Sequence, residues 1–82
     1  MKTIAVFGTE QCAGCKVVGD MLASNNISFE KKDILDTQVM EEAQQLGIRG
    51  IPVTALYIDG IVKETVVGST EQAIQRILEI AA

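Results

Sequence analysis

The stretch Gly8 to Leu22, GTEQCAGCKVVGDML, decides how this chain is read. It holds both cysteines, Cys12 and Cys15, where a polar loop gives way to an amphipathic run. Upstream, Lys2 to Phe7 is β-branched, aromatic and mostly apolar, the composition of a buried strand. Downstream, the pattern from Cys12 to about Ser24 is helical. It sets Val17, Val18, Met21 and Leu22 on one face and Lys16, Asp20 and Ser24 towards water. Gly19 lies inside this helix at a cost of about 1 kcal/mol against Ala, which points to close packing or a bend. The two thiols therefore sit at a strand-to-helix junction.

Positions i and i+3 of a helix are neighbours, so Cys12 and Cys15 are within reach of a disulfide. Cys12 falls at the exposed helix start, where free N–H groups and the macrodipole favour a thiolate. Cys15, one turn inside, is expected to be more shielded and harder to ionise. That asymmetry suits disulfide exchange: Cys12 attacks, a mixed disulfide forms and Cys15 resolves it. Two other readings stand beside it. Two small cysteines can simply be buried, and two thiolates can carry a soft metal. A tetrahedral zinc site needs two more ligands, and the chain has no His and no further Cys. Haem attachment needs a His after the second Cys, where Lys16 stands.

The rest of the chain supplies the frame. Ile27 to Lys32 alternates and reads as a second strand. Asp36 or Thr37 caps a second helix running to Leu46, with Val39, Ala43 and Leu46 on its apolar face and Gly47 as its stop. Val53 to Ile58 and Ile61 to Val67 form a hairpin about Asp59-Gly60. Gly68 follows, and Ser69-Thr-Glu-Gln72 reads as a capping box opening a helix from Thr70 to about Ile80. The element order is β-α-β-α-β-β-α. It predicts an α/β fold: a four-stranded mixed sheet with helices on both faces, parallel in the first β-α-β and antiparallel in the closing hairpin.

Bulk properties bound the function. Eighty-two residues make one domain, 1–82, with a small core. The net charge is −4 and the seven basic residues never cluster, so nucleic acid is not an expected partner. The apolar run Ile4 to Phe7 is too short for a signal peptide, and no run approaches the roughly 20 residues of a membrane span. The expected location is the cytosol, where a cysteine pair is more often catalytic or metal-binding than structural. With no exposed apolar seam evident, a monomer is expected.

In this context CAGC resembles the cysteine pair of the thioredoxin/glutaredoxin superfamily. The segment Gly47 to Gly60, GIRGIPVTALYIDG, is similar to the thioredoxin segment that carries a cis-proline, and VVGST to the glycine after the fourth strand. The resemblance covers nearly the whole chain. It implies a thioredoxin-like fold and a dithiol-disulfide oxidoreductase with Cys12 as nucleophile and Cys15 as resolving thiol. It also implies that Pro52 is cis and faces the thiols, and that Ile51, Pro52 and Gly68 form a groove for an extended substrate. Read alone, Pro52 is a proline at a strand start and Gly68 a turn glycine.

The departures are specific. Gln11 replaces the thioredoxin Trp before the first Cys, Ala13-Gly14 replaces Gly-Pro, and Val6 stands where thioredoxins bury an acid. Glutaredoxins carry Gly-Gly-x-x-Asp after the fourth strand and a cation before the cysteines. Here Gly68 is followed by Ser69, Thr70, Glu71 and Gln72, and Thr9, Glu10 and Gln11 offer no cation. The resemblance therefore implies no bound cofactor, disulfide-containing protein partners, and reduction from NADPH by a thioredoxin-reductase-type flavoprotein. Glutathione-dependent reduction is the alternative. A soft-metal carrier is the second, weakened by Glu10 in place of a Met and by a helix at Thr37 to Leu46 where metal chaperones place a strand.

Overall fold

The structure, a computed structural model, describes residues 1–82. Its central strand β1 (Lys2–Gly8) is buried from Ile4 onward and alternates between two cores. It pairs in parallel with β2 (Glu30–Asp33) and antiparallel with β3 (Val53–Ile58), which in turn pairs antiparallel with β4 (Ile61–Val67). The sheet order is β2-β1-β3-β4.

Ile4 and Val6 face α1 (Ala13–Ser24) and α3 (Glu71–Ala81), joining Val18, Leu22 and Ile77 in the larger core. Ala5 and Phe7 face the opposite way, against Ala43 of α2 (Thr37–Gln45) and its neighbours Val39 and Leu46. Helices thus cover both faces, as the element order predicts. No helix is long and apolar enough to cross a membrane.

Each chain reversal has a local cause. Gly47 adopts φ +74° after α2, with its N–H on Gln44 and that of Ile48 on Ala43, a Schellman closure. Asn26, at φ +58°, closes α1 in the same way: its N–H donates to Ala23 and that of Ile27 to Leu22. Asp59 and Gly60, both at positive φ, make the two-residue turn whose twist matches the β3–β4 hairpin.

Three expectations need correction. The second strand begins at Glu30, not Ile27, and ends at Asp33. The Ile27 N–H is committed to the α1 closure, and Ile27 and Phe29 pack on the core from a loop. Val17 is 47% exposed, because the buried stripe of α1 is centred on Val18 and Leu22. The cap of α3 is Thr70, whose Oγ1 accepts from the Ala73 N–H at 3.2 Å. Ser69 is one residue too early, and Ala73 occupies the position where a capping box needs Glu or Gln. Gly19 is a packing glycine: a Cβ there would lie 3.3 Å from Cζ of Phe29.

Two polar features set testable energies. Thr54 is fully buried with its Oγ1 unpartnered, between Val6 and Val66 across the sheet. On the other face, Glu42 accepts from Lys32 Nζ at 2.6 Å and from the Tyr57 hydroxyl at 2.5 Å, while Lys32 lies 5.6 and 5.4 Å from the Phe7 and Tyr57 ring centroids. Burial works to raise the Glu42 pKa, but the hydrogen bonds from Lys32 and Tyr57 and the Lys32 charge together hold it below its ordinary value. Burial, then the hydrogen bond to Glu42 and its charge, push the Tyr57 hydroxyl up.

Thr54→Val removes an unsatisfied hydroxyl at nearly constant volume, so urea unfolding should show a gain of up to about 1 kcal/mol. Tyr57→Phe should cost about 1–2 kcal/mol at pH 7 because it removes a hydrogen bond to a charged group. The Glu42 carboxylate, with its depressed folded-state pKa, adds stability above its ordinary pKa of 4.5 that is lost as pH falls through the folded value. The gap between native and Glu42→Gln protein should therefore narrow on acidification below pH 4.5.

Candidate active site

The site forms where β1 ends and β3 begins, beneath the start of α1. Cys12 is the N-cap of α1, in extended conformation, and its Sγ accepts the Cys15 N–H at 3.1 Å. A sulfur thus occupies the position where helices usually place a Ser or Asp oxygen. Cys12 and Cys15 form a disulfide, with their Cα atoms 5.2 Å apart. Exposure does not separate them as the sequence suggests, because both are partly buried. Their surroundings do. Cys12 lies at the open helix end, whereas the Cys15 sulfur is pressed against the backbone of Gly8.

Gly8 is the last residue of β1, and a methyl group there would overlap the Cys15 sulfur. Gly14, between the cysteines, has an equally definite neighbourhood. A Cβ there would lie 2.9 Å from Ser69 Oγ and 3.1 Å from Pro52 Cδ. The helix start therefore rests on Pro52 and on the loop leading into α3.

The Ile51-Pro52 peptide bond is cis, the geometry implied by the resemblance. Pro52 is buried, and its carbonyl accepts the Gly68 N–H at 2.8 Å. Gly68 has φ +98°, which only glycine adopts readily. Neither the N–H nor the C=O of Ile51 enters a backbone hydrogen bond. Cys12, Cys15, Ile51, Pro52 and Gly68 thus come from three separate parts of the chain to one end of the sheet.

Sequence reasoning missed three residues here. Gly8 looked like the first residue of a loop, Gly14 like an uncommitted spacer and Ser69 like a helix cap. Only glycine's lack of a side chain marked the first two, and that signal is shared with every turn glycine. No group of three or more His, Cys, Asp or Glu side chains is placed to hold a metal ion. On the β2 side of the sulfurs a cleft of about 520 Å3 opens, walled by Val6, Gly8 and Cys15 and edged by charged side chains.

These contacts make a stability prediction. Gly8→Ala forces the Cys15 sulfur or the β1 end to move and should cost about 1–3 kcal/mol in the oxidised protein, measured by urea unfolding. Gly50→Ala, with open space around it, should cost far less.

No family model matches the chain. Among curated proteins it is similar to the SPbeta prophage-derived thioredoxin-like protein YosR of Bacillus subtilis, 44% identical over 48 residues. That match spans 58% of this chain and 58% of the relative's length. Among solved structures it is similar to oxidised thioredoxin from Plasmodium falciparum, with TM-score 0.75 and 24% identity over 99% of this chain and 82% of that one. It is also similar to a variant of the thioredoxin-like protein BC3987, with TM-score 0.74 and 26% identity over 93% of this chain and 99% of that one. Strand order and helix placement agree with these likenesses: the chain has the thioredoxin fold.

Proposed function

We propose that the chain is a dithiol-disulfide oxidoreductase that reduces disulfides in partner proteins. One observation carries this reading. The Cys12 sulfur caps a helix and accepts the Cys15 N–H, while Cys15 stands in disulfide reach. In the reduced protein the same N–H and the helix N-terminus would stabilise a Cys12 thiolate. The unengaged N–H and C=O of Ile51, next to Pro52, support docking of an extended partner segment by main-chain pairing. Gly68 leaves the neighbouring wall free of a side chain.

The exchange proceeds in two displacements. The Cys12 thiolate attacks one sulfur of the partner's disulfide. That bond breaks, its other sulfur leaves as a thiolate and takes up a proton, and Cys12 is joined to the partner. Cys15 then loses its proton and attacks the Cys12 sulfur. The Cys12–Cys15 bond forms and the partner's second sulfur leaves as a thiol. The partner gains two electrons and two protons, and the dithiol is oxidised.

The returning electrons come, in this reading, from NADPH through a thioredoxin-reductase-type flavoprotein. Glu10 and Gln11 ahead of Cys12 present no cation to a glutathione carboxylate, and Ser69 and Thr70 follow Gly68 where glutaredoxins continue with a second Gly. The reaction is placed in the cytosol, where such a donor operates and the dithiol is kept reduced.

Cys12→Ser should abolish reduction of protein disulfides, whereas Cys15→Ser should accumulate mixed disulfides visible on non-reducing gels. Full activity in Cys12→Ser would overturn the reading. Thiol titration after incubating the oxidised protein with NADPH and thioredoxin reductase should give two free thiols per chain. Glutathione with its own reductase should give slow, non-saturating reduction. Saturable reduction by glutathione alone would transfer the assignment to a glutaredoxin.

A further inference from the structure

The resolving step requires Cys15 to lose a proton, and β1 offers it no acid-base group. Val6, on the same face of β1 as Cys15, is apolar and buried. The cleft of about 520 Å3 beside the Cys15 sulfur is the remaining route for that proton.

Its charged side chains come from one loop and two elements. Glu10, Lys16 and Asp20 belong to the loop and α1, and Lys31, Lys32 and Asp33 to β2. The three carboxylates are not equivalent. All three are exposed, and Glu10 lies in the loop before Cys12, outside both helix and sheet. Asp20 is five residues along the helix from Cys15, about 140° around its axis at 3.6 residues per turn. Asp33 is the register partner of Gly8, the residue whose backbone touches the Cys15 sulfur. Register partners in a sheet project to the same side, so Asp33 and Lys31 share the side of Gly8 and Val6, the side of α1. Gly8 places no side chain between Asp33 and the sulfur.

The Asp33 carboxylate is also held in position. Its Oδ1 accepts the Leu35 N–H at 2.9 Å, and the Ile34 N–H donates to the Gly8 carbonyl at 3.0 Å, tying the end of β2 to the end of β1. Asp33 is among the residues that line the cleft. Lys32 is turned to the other face by Glu42, whereas Lys16 and Lys31 remain to favour negative charge on the sulfur.

We infer that Asp33 accepts the Cys15 proton through water in this cleft, so that the resolving base of this redoxin stands on β2 and not beneath the dithiol on β1. The inference rests on the exchange reading above. The proton passes from Cys15 Sγ to the Asp33 carboxylate and on to solvent. The thiolate then attacks Cys12 Sγ, closing the disulfide and expelling the partner sulfur.

The test is stopped-flow mixing of the reduced protein with one equivalent of 5,5′-dithiobis(2-nitrobenzoate). Attack by Cys12 releases the first thionitrobenzoate in a concentration-dependent phase. Attack by Cys15 releases the second in a concentration-independent phase. Asp33→Asn, which keeps an acceptor for the Leu35 N–H, should slow the second phase about tenfold at pH 7 and move its pH midpoint upward, leaving the first phase unchanged. Asp33→Glu should restore both rate and midpoint, and Asp20→Asn should alter neither. A native second phase in Asp33→Asn, or equal slowing in Asp20→Asn, would overturn the role of Asp33. Absence of any second release in the native protein would instead overturn the dithiol reading itself.

Discussion

The structure depends on the close approach of the first turn of α1 to the ends of β1 and β3. Backbone meets side chain at both contacts. Gly8 lies against the Cys15 sulfur, and Gly14 lies against Pro52 and Ser69. Neither contact leaves room for a methyl group without a shift, so two glycines set how deeply the helix seats on the sheet. Seating fixes the rest. Val18 and Leu22 reach Ile4, Val6 and Ile77, and the helix start stays at the rim, where Cys12 can meet a partner.

Charge is organised around this frame with little buried. The dithiol takes its electrostatic support from backbone N–H groups and a helix end, which need no desolvated carboxylate. On the opposite face, Lys32, Glu42 and Tyr57 join β2, α2 and β3 through two short hydrogen bonds over aromatic rings. That cluster compensates for a short edge strand, since β2 has only four residues. The same strand presents Asp33 to the cleft on the dithiol side, so its two faces carry separate tasks.

Much of the architecture was legible from local pattern. A β-branched, apolar composition marked β1. Asp59-Gly60 marked the hairpin and Gly47 the end of α2, and each signal has a steric cause that acts within a few residues. The misread features share one property: they depend on where a single N–H is spent. Ile27 looked like a strand residue by alternation, but its N–H closes α1. Ser69 looked like a cap by composition, yet Thr70 accepts the Ala73 N–H. Either segment is compatible with both outcomes until the neighbouring helix fixes its own end.

For the site, residue identity sufficed to pick out Cys12 and Cys15, because two thiols at i and i+3 at a helix start have few other uses. Resemblance added Ile51, Pro52 and Gly68. The residues that fit these together were silent in sequence. Gly8 and Gly14 are needed because of atoms 7 and 55 positions away, and nothing near them in the chain signals it. Asp33 reads as an ordinary loop acid until the parallel register sets it beside Gly8. Chain-local chemistry thus determined the elements and the reactive pair. Only tertiary packing decided which small residues must stay small and which acid lies beside Gly8, because steric exclusion and side-chain contact act over a few ångströms in space whatever the separation along the chain.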